Sequence, residues 1–185
     1  MKKLILLLCV LGNVCVAKDF AHNRTFSFGV YARTGAPMGA GLEFSFPLIK
    51  GEIVEWRNFI SIEGFGLKLI DSKYDSAALL FNEKMVLSYL AGSNVVSAMG
   101  VTYFRPYLFI SGGYALTGGK YSNFGEAPYY IEVNGGIGHE FISQNGHTFF
   151  FEFGGGSMFY SQALLNQRQT KQAITKVLLG YRKYF

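Results

Sequence analysis

Thr25-Phe26-Ser27-Phe28-Gly29-Val30-Tyr31-Ala32-Arg33 decides the fold. In an extended chain successive side chains point to opposite faces. Phe26, Phe28, Val30 and Ala32 therefore share one side, and Ser27, Gly29, Tyr31 and Arg33 share the other. One face is apolar throughout, while the other ends on a charge. That period of two marks a strand between an apolar and a polar phase, and it recurs along the chain.

Outward from this stretch, Gly39–Phe46 sets Leu42, Phe44 and Phe46 against Glu43 and Ser45. Residues 58–70 set Ile60 and Ile62 against Ser61 and Glu63. There the parity switches to Phe65, Leu67 and Leu69, which places a bulge near Gly64. Residues 79–91 set Met85, Leu87 and Tyr89 against Lys84 and Ser88. Strict parity also turns Glu83 outward, so we expect it above the apolar zone, on an extension of its strand. Residues 104–116 oppose Leu108, Ile110 and Tyr114 to Tyr107, Phe109 and Ser111. Residues 129–141 oppose Ile131, Val133 and Ile137 to Glu132, Asn134 and Glu140. Residues 148–160 oppose Phe149, Phe151 and Phe153 to Thr148, Glu152 and Gly154. Residues 173–185 oppose Val177, Leu179 and Tyr181 to Lys176, Gly180 and Arg182. The count is eight strands, or ten if Val95–Phe104 adds to it.

Composition says where such a sheet can live. Half of the 185 residues are hydrophobic and only 16% are charged, against roughly a quarter in an ordinary soluble domain. After the N-terminus no apolar run reaches the ~18 residues of a membrane-spanning helix. Only helices and closed barrels satisfy their backbone in hydrocarbon. The sequence therefore predicts an all-β transmembrane antiparallel up-and-down barrel, with outer-membrane lipid as its surroundings. A soluble ligand-carrying barrel would have polar outward faces, and Phe26, Phe28, Phe44, Phe149, Phe151 and Phe153 argue against one.

Residues 1–17 read as a secretory signal peptide, with Lys2 and Lys3 before the apolar Leu4–Leu11 and small residues up to Ala17. The barrel domain is then 18–185. Cleavage there removes Cys9 and Cys15, so thiol chemistry and disulfides drop out. Losing the two lysines also takes the formal charge of +5 to +3. The remaining basic residues are scattered, which gives no reason to expect a nucleic-acid partner.

From residue 104 onward the chain resembles the eight-stranded outer-membrane barrels related to opacity proteins and OmpX. The carrying residues are Arg105-Pro106-Tyr107 with Ser111-Gly112-Gly113-Tyr114, then Gly135 to Phe141, the short Ser143-Gln144-Asn145-Gly146 turn, and the aromatic Phe185. The resemblance implies termini on the periplasmic side and a bacterial outer-membrane location. It implies surface loops at 34–38, 70–78, 117–128 and 161–172, with inner turns near 47–57, 92–103 and 142–147. It also implies that Tyr181 and Phe185 serve as the signal read by the barrel-assembly machinery, although Lys183 departs from the aromatic or aliphatic residue favoured there.

By parity the lumen receives Arg33, Lys84, Arg105, Lys176 and Arg182 together with Glu43, Glu63, Glu132, Glu140 and Glu152. The signs balance, as a network filling a narrow interior requires, because unpaired buried charge is costly. The same network could instead carry protons or small ions. His22, His139 and His147 have no metal-ligand spacing, and no cofactor is expected. The triplets His22-Asn23-Arg24, His139-Glu140-Phe141 and His147-Thr148-Phe149 lack the His-x-Ser pattern of a lipid A deacylase. Glycines at 112–113, 135–136 and 154–156 suit either tight curvature under large aromatics or a lateral groove lined by Phe109, Tyr130 and Phe150.

Function is thus expected to be non-enzymatic: a monomeric surface barrel acting in envelope integrity, adhesion or host and environment contact through its loops. A narrow channel or a conduit for small hydrophobic molecules or ions is the alternative. A closed barrel resists detergent unfolding until boiled. Residues 18–185 refolded in detergent should run at different mobilities boiled and unboiled, with β-rich circular dichroism. Folding in plain buffer with no shift would refute the membrane assignment.

Overall fold

The computed structural model describes residues 25–35, 38–51, 53–65, 75–88, 91–92, 103–120, 129–161 and 171–185. The proposed leader and the stretch from Val95 to Thr102 lie outside them. Nine strand segments follow one another: β1 (Ser27–Gly35), β2 (Gly39–Lys50), β3 (Val54–Phe65), β4 (Asp75–Ser88), β5 (Ala91–Gly92), β6 (Tyr103–Lys120), β7 (Tyr129–Ile142), β8 (His147–Tyr160) and β9 (Lys171–Tyr184). All pairings are antiparallel. β5 lies on β6 in the same register as β4, with Ser88 opposite Tyr107 and Ala91 opposite Phe104, so the two form one stave.

Eight staves close on themselves. β4 pairs with β6, and β1 pairs with β9 from Ser27–Tyr184 to Gly35–Lys176. Neither junction has room for further staves, so the count is eight and not ten. Thr25 N–H and Phe185 N–H continue the seam, donating to the carbonyls of Phe185 and Phe26. No edge is left open, as hydrocarbon demands.

Alternation follows the sequence closely. Val30, Leu42, Ile62, Leu108, Ile137, Phe149, Phe153 and Leu179 are exposed on the outer surface. Ser45, Ser61, Glu63, Asn134, Glu152 and Arg182 are buried inside. The molecule is therefore apolar outside and charged within, the reverse of a water-soluble protein.

Three sequence expectations need correction. The register of β3 runs without a break from Asn58 to Phe65, so there is no bulge at Gly64; Leu67 and Leu69 lie outside the described residues. The irregularity falls at Pro47–Ile49. Proline cannot donate to a ladder and is tolerated at such breaks. The inner turn expected over 47–57 shrinks accordingly, because β2 runs to Lys50 and β3 starts at Val54. Glu83, placed above the membrane by the sequence, sits well inside β4, since that strand begins at Asp75 and not near residue 79. Exposed Phe81 and Met85 flank it on the same face.

The narrow interior is packed by a repeated device. Tyr31 faces Gly41, Tyr107 faces Gly138, Phe109 faces Gly136 and Phe150 faces Gly180 directly across adjacent strands. Over Gly41, Gly138 and Gly180 the ring occupies the space that a Cβ would need, and at Gly136 the Phe109 ring and the β8 backbone together leave none. The rings of Phe109 and Phe150 thus fill the lumen, and Tyr130 joins a buried cluster with Leu80, Met158 and Ile174. Among the described residues, Phe109, Tyr130 and Phe150 are buried in the interior instead of lining an open lateral groove.

Among the turns, Gly146 adopts φ +78°, and its carbonyl accepts the Tyr184 N–H. That clasps the β7–β8 turn onto the last strand. The glycine–aromatic pairs give a direct check. Gly138→Val should displace the Tyr107 ring and lower unfolding stability in vesicles by about 1–3 kcal/mol, the usual cost of overpacking. Adding Tyr107→Ala should recover part of that loss. Equal stability of the single variant and the wild type would refute the packing role.

Candidate functional site in the lumen

Charged side chains reach the barrel axis because strands tilted in a closed sheet turn every second residue inward. They gather in three levels, each of zero formal charge.

Nearest the termini, Glu140 of β7 is surrounded by three arginines from three other strands. Arg57 Nη1 lies 2.6 Å from its Oε1, Arg105 Nη1 3.3 Å from its Oε2, and Arg182 Nη1 3.4 Å from its Oε1. The Tyr184 hydroxyl also donates to Glu140, at 3.3 Å. Glu55 balances a second arginine charge, binding Arg57 Nε at 2.6 Å and Arg105 Nη1 at 2.7 Å. Glu43 balances the third, its Oε1 standing 3.0 Å from Arg182 Nε. The Arg182 guanidinium rests 4.0 Å from the centre of the Phe150 ring, where the ring quadrupole favours a cation. Arg105 Nη2 reaches Ser88 Oγ at 2.7 Å.

The middle level is one pair. Lys84 Nζ donates to both Glu152 oxygens at 2.7 and 2.8 Å, and Tyr107 donates to Oε1 at 2.6 Å. Lys84 lies between the rings of Phe59 and Phe109, 4.8 and 5.1 Å from their centres.

Farther from the termini, Arg33 bridges Glu63 at 3.2 Å and Glu132 at 2.7 Å. Lys176 binds the other Glu132 oxygen at 2.6 Å. Tyr31 donates to Glu63, and Asn134 donates to Glu132. Beyond this level the cluster of Ala78, Leu80, Ala115, Tyr130, Met158 and Ile174 fills the section with apolar side chains.

The structure thus brings all ten charged residues read from parity into the interior and distributes them over these levels. Sequence reading missed Glu55 and Arg57, which it assigned to an inner turn. The signal was present: Glu55, Arg57 and Phe59 continue the period of Ser61 and Glu63 backward. Pro47 and Gly51 obscured it by suggesting a long turn.

Outside the lumen, Phe185 stacks on Phe26 at 5.1 Å between ring centres. Tyr181 packs on Phe149 and pairs its hydroxyl with His147 Nδ1. Phe28 and Phe44 extend this aromatic patch across the β1–β9 seam. His139 faces outward, stacked on Phe104. Its neighbour Glu140 points inward, so the two do not form one site. Among the described residues no group of histidine, cysteine, aspartate and glutamate side chains is arranged to hold a metal ion.

No family model matches the chain, and no curated protein matches it significantly. Solved structures do. Neisserial surface protein A (NspA) aligns over 86% of this chain and 96% of its own, with a TM-score of 0.56 and 8% identity. The outer membrane enzyme PagL aligns over 86% of this chain and 99% of its own, with a TM-score of 0.52 and 12% identity. At such identities the likeness is one of fold: the chain is a closed eight-stranded barrel of the small outer-membrane type. The narrower opacity-protein and OmpX resemblance is not resolved by these matches.

Removing one member of a buried ion network strands its partners, at about 3–5 kcal/mol, whereas removing a whole pair costs far less. Glu140→Ala should therefore destabilise the barrel by about that amount in urea titrations on vesicles. Lys84→Met combined with Glu152→Leu should cost clearly less than either change alone. The reverse order would overturn the assignment of these charges as paired.

Proposed function

We propose that the protein is a non-enzymatic barrel of the bacterial outer membrane that acts at the cell surface. Its role is in envelope integrity, adhesion or contact with host and environment. The observation that carries this reading is the filled section of the lumen. Neutral levels of paired charge are stacked under an apolar cluster, and aromatic rings occupy the spaces between them. Such an interior supports a rigid stave framework better than a passage. Work is left to the surface, and the strand ends opposite the termini carry the connections 36–38, 66–74, 121–128 and 161–170. Loops held on a rigid scaffold are where recognition concentrates. NspA, by its description a surface protein, supports the same location.

A second reading, a narrow ion path, rests on one feature. Asn82 Oδ1 and Asn134 Oδ1 are buried polar atoms without hydrogen-bond partners on inward-facing positions of β4 and β7. Water bound at these atoms would begin to hydrate the interior.

Planar-bilayer recording separates the two. The surface reading expects no conductance steps from the purified protein. It also expects that replacing 121–128 or 162–170 by short turns abolishes binding to cells or matrix while leaving heat-modifiability intact. Reproducible conductance steps that change with Glu152→Gln, together with loop variants that bind normally, would establish the channel instead.

A further inference from the structure

Among the described residues the outer surface carries an acidic interruption, at Glu83, that neither the lumen nor the loops explain. Glu83 on β4 is exposed, and directly across the ladder from it stands Asn58 of β3, also facing outward. Exposed Phe81 and Met85 flank Glu83 on its strand, while Trp56 and Ile60 flank Asn58 on its own. The pair is therefore an island inside the apolar band and not part of a rim. On the other side of Glu83 the register brings Gly112 of β6, where an added Cβ would meet nothing within 4 Å. A groove of about 520 Å³ runs over these residues, walled by Phe46, Phe81, Tyr114 and Ile131.

We infer that this groove is a self-association surface, through which two copies of the chain pack side by side in the membrane. An ionisable group facing hydrocarbon is unfavourable, and such groups generally meet a polar partner. Asn58 and Glu83 are a donor and an acceptor held at adjacent positions. A two-fold axis between two copies lets each Asn58 amide donate to the Glu83 of its neighbour, and the relation is reciprocal. No additional charge is required. Among the described residues the exposed or half-buried lysines outside the lumen, Lys50, Lys171 and Lys183, lie at or near strand ends and do not line the groove. Amine headgroups stay at the interface, away from an apolar band that continues on both sides of Glu83. Gly112 leaves the floor open for close approach, as small residues do where membrane-spanning segments pack. The aromatic walls supply contact area around the polar centre. The sequence placed Glu83 above the apolar zone; its position inside β4 is what brings it to this surface.

Sedimentation equilibrium of the full-length protein in density-matched detergent micelles tests the inference. Wild type is expected to associate reversibly to a dimer. Glu83→Leu and Asn58→Leu, each matching the surrounding surface, should weaken association about tenfold through loss of the paired hydrogen bonds. Glu83→Gln keeps an acceptor and should stay within about threefold of wild type. Heat-modifiability shows that each variant still closes. A wild type that is monomeric at every detergent dilution overturns the proposal, as does dimerisation unaffected by either leucine. A monomer that instead retains an amine-bearing lipid through Glu83 overturns it too.

Discussion

Hydrocarbon offers no hydrogen-bond partner to a peptide group, and the rest of this structure depends on that fact. Every strand edge must be paired, so β1 has to meet β9 and the sheet must close. Closing with eight staves leaves a lumen only wide enough for side chains. What enters it must then fit and must be neutral in sum. The rings lying over Gly41, Gly136, Gly138 and Gly180 answer the first demand, and the three neutral charge levels answer the second.

Those charges also specify arrangement. Arg33–Glu132 ties β1 to β7, and Arg57–Glu140 ties β3 to β7 across the barrel. A slip of one residue in a stave would turn its inward charges into lipid and its outward apolar side chains into the lumen. The interior network therefore opposes misregister more strongly than an apolar filling would. The aromatic patch of Phe26, Phe28, Phe44 and Phe185 does related work outside, covering the seam where the first and last strands meet.

Legibility varied along the chain for physical reasons. Strands such as Thr148–Tyr160 could be read almost residue by residue, because one face meets lipid and the other a polar lumen. Residues 47–57 were misread because Pro47 and Gly51 look like turn formers. A bulge at Pro47–Ile49 absorbs the proline while the strand continues, and Glu55 and Arg57 were lost with it. Glu83 shows a different failure. Its face was read correctly and its height was not, since parity reports which way a side chain points and carries nothing about depth.

The sequence by itself determined the class of fold, the inside-out distribution of polarity and most of the side chains facing the lumen, Glu55 and Arg57 apart. All of these follow from a period of two, and that period is local. Tertiary structure alone decided which strands meet, which glutamate each cation finds, and that three arginines converge on Glu140. It also decided that Asn58, Glu83 and Gly112, far apart in sequence, lie side by side on the outer face. These depend on stave order, register and closure, and such quantities exist only once residues distant along the chain are held at hydrogen-bonding distance.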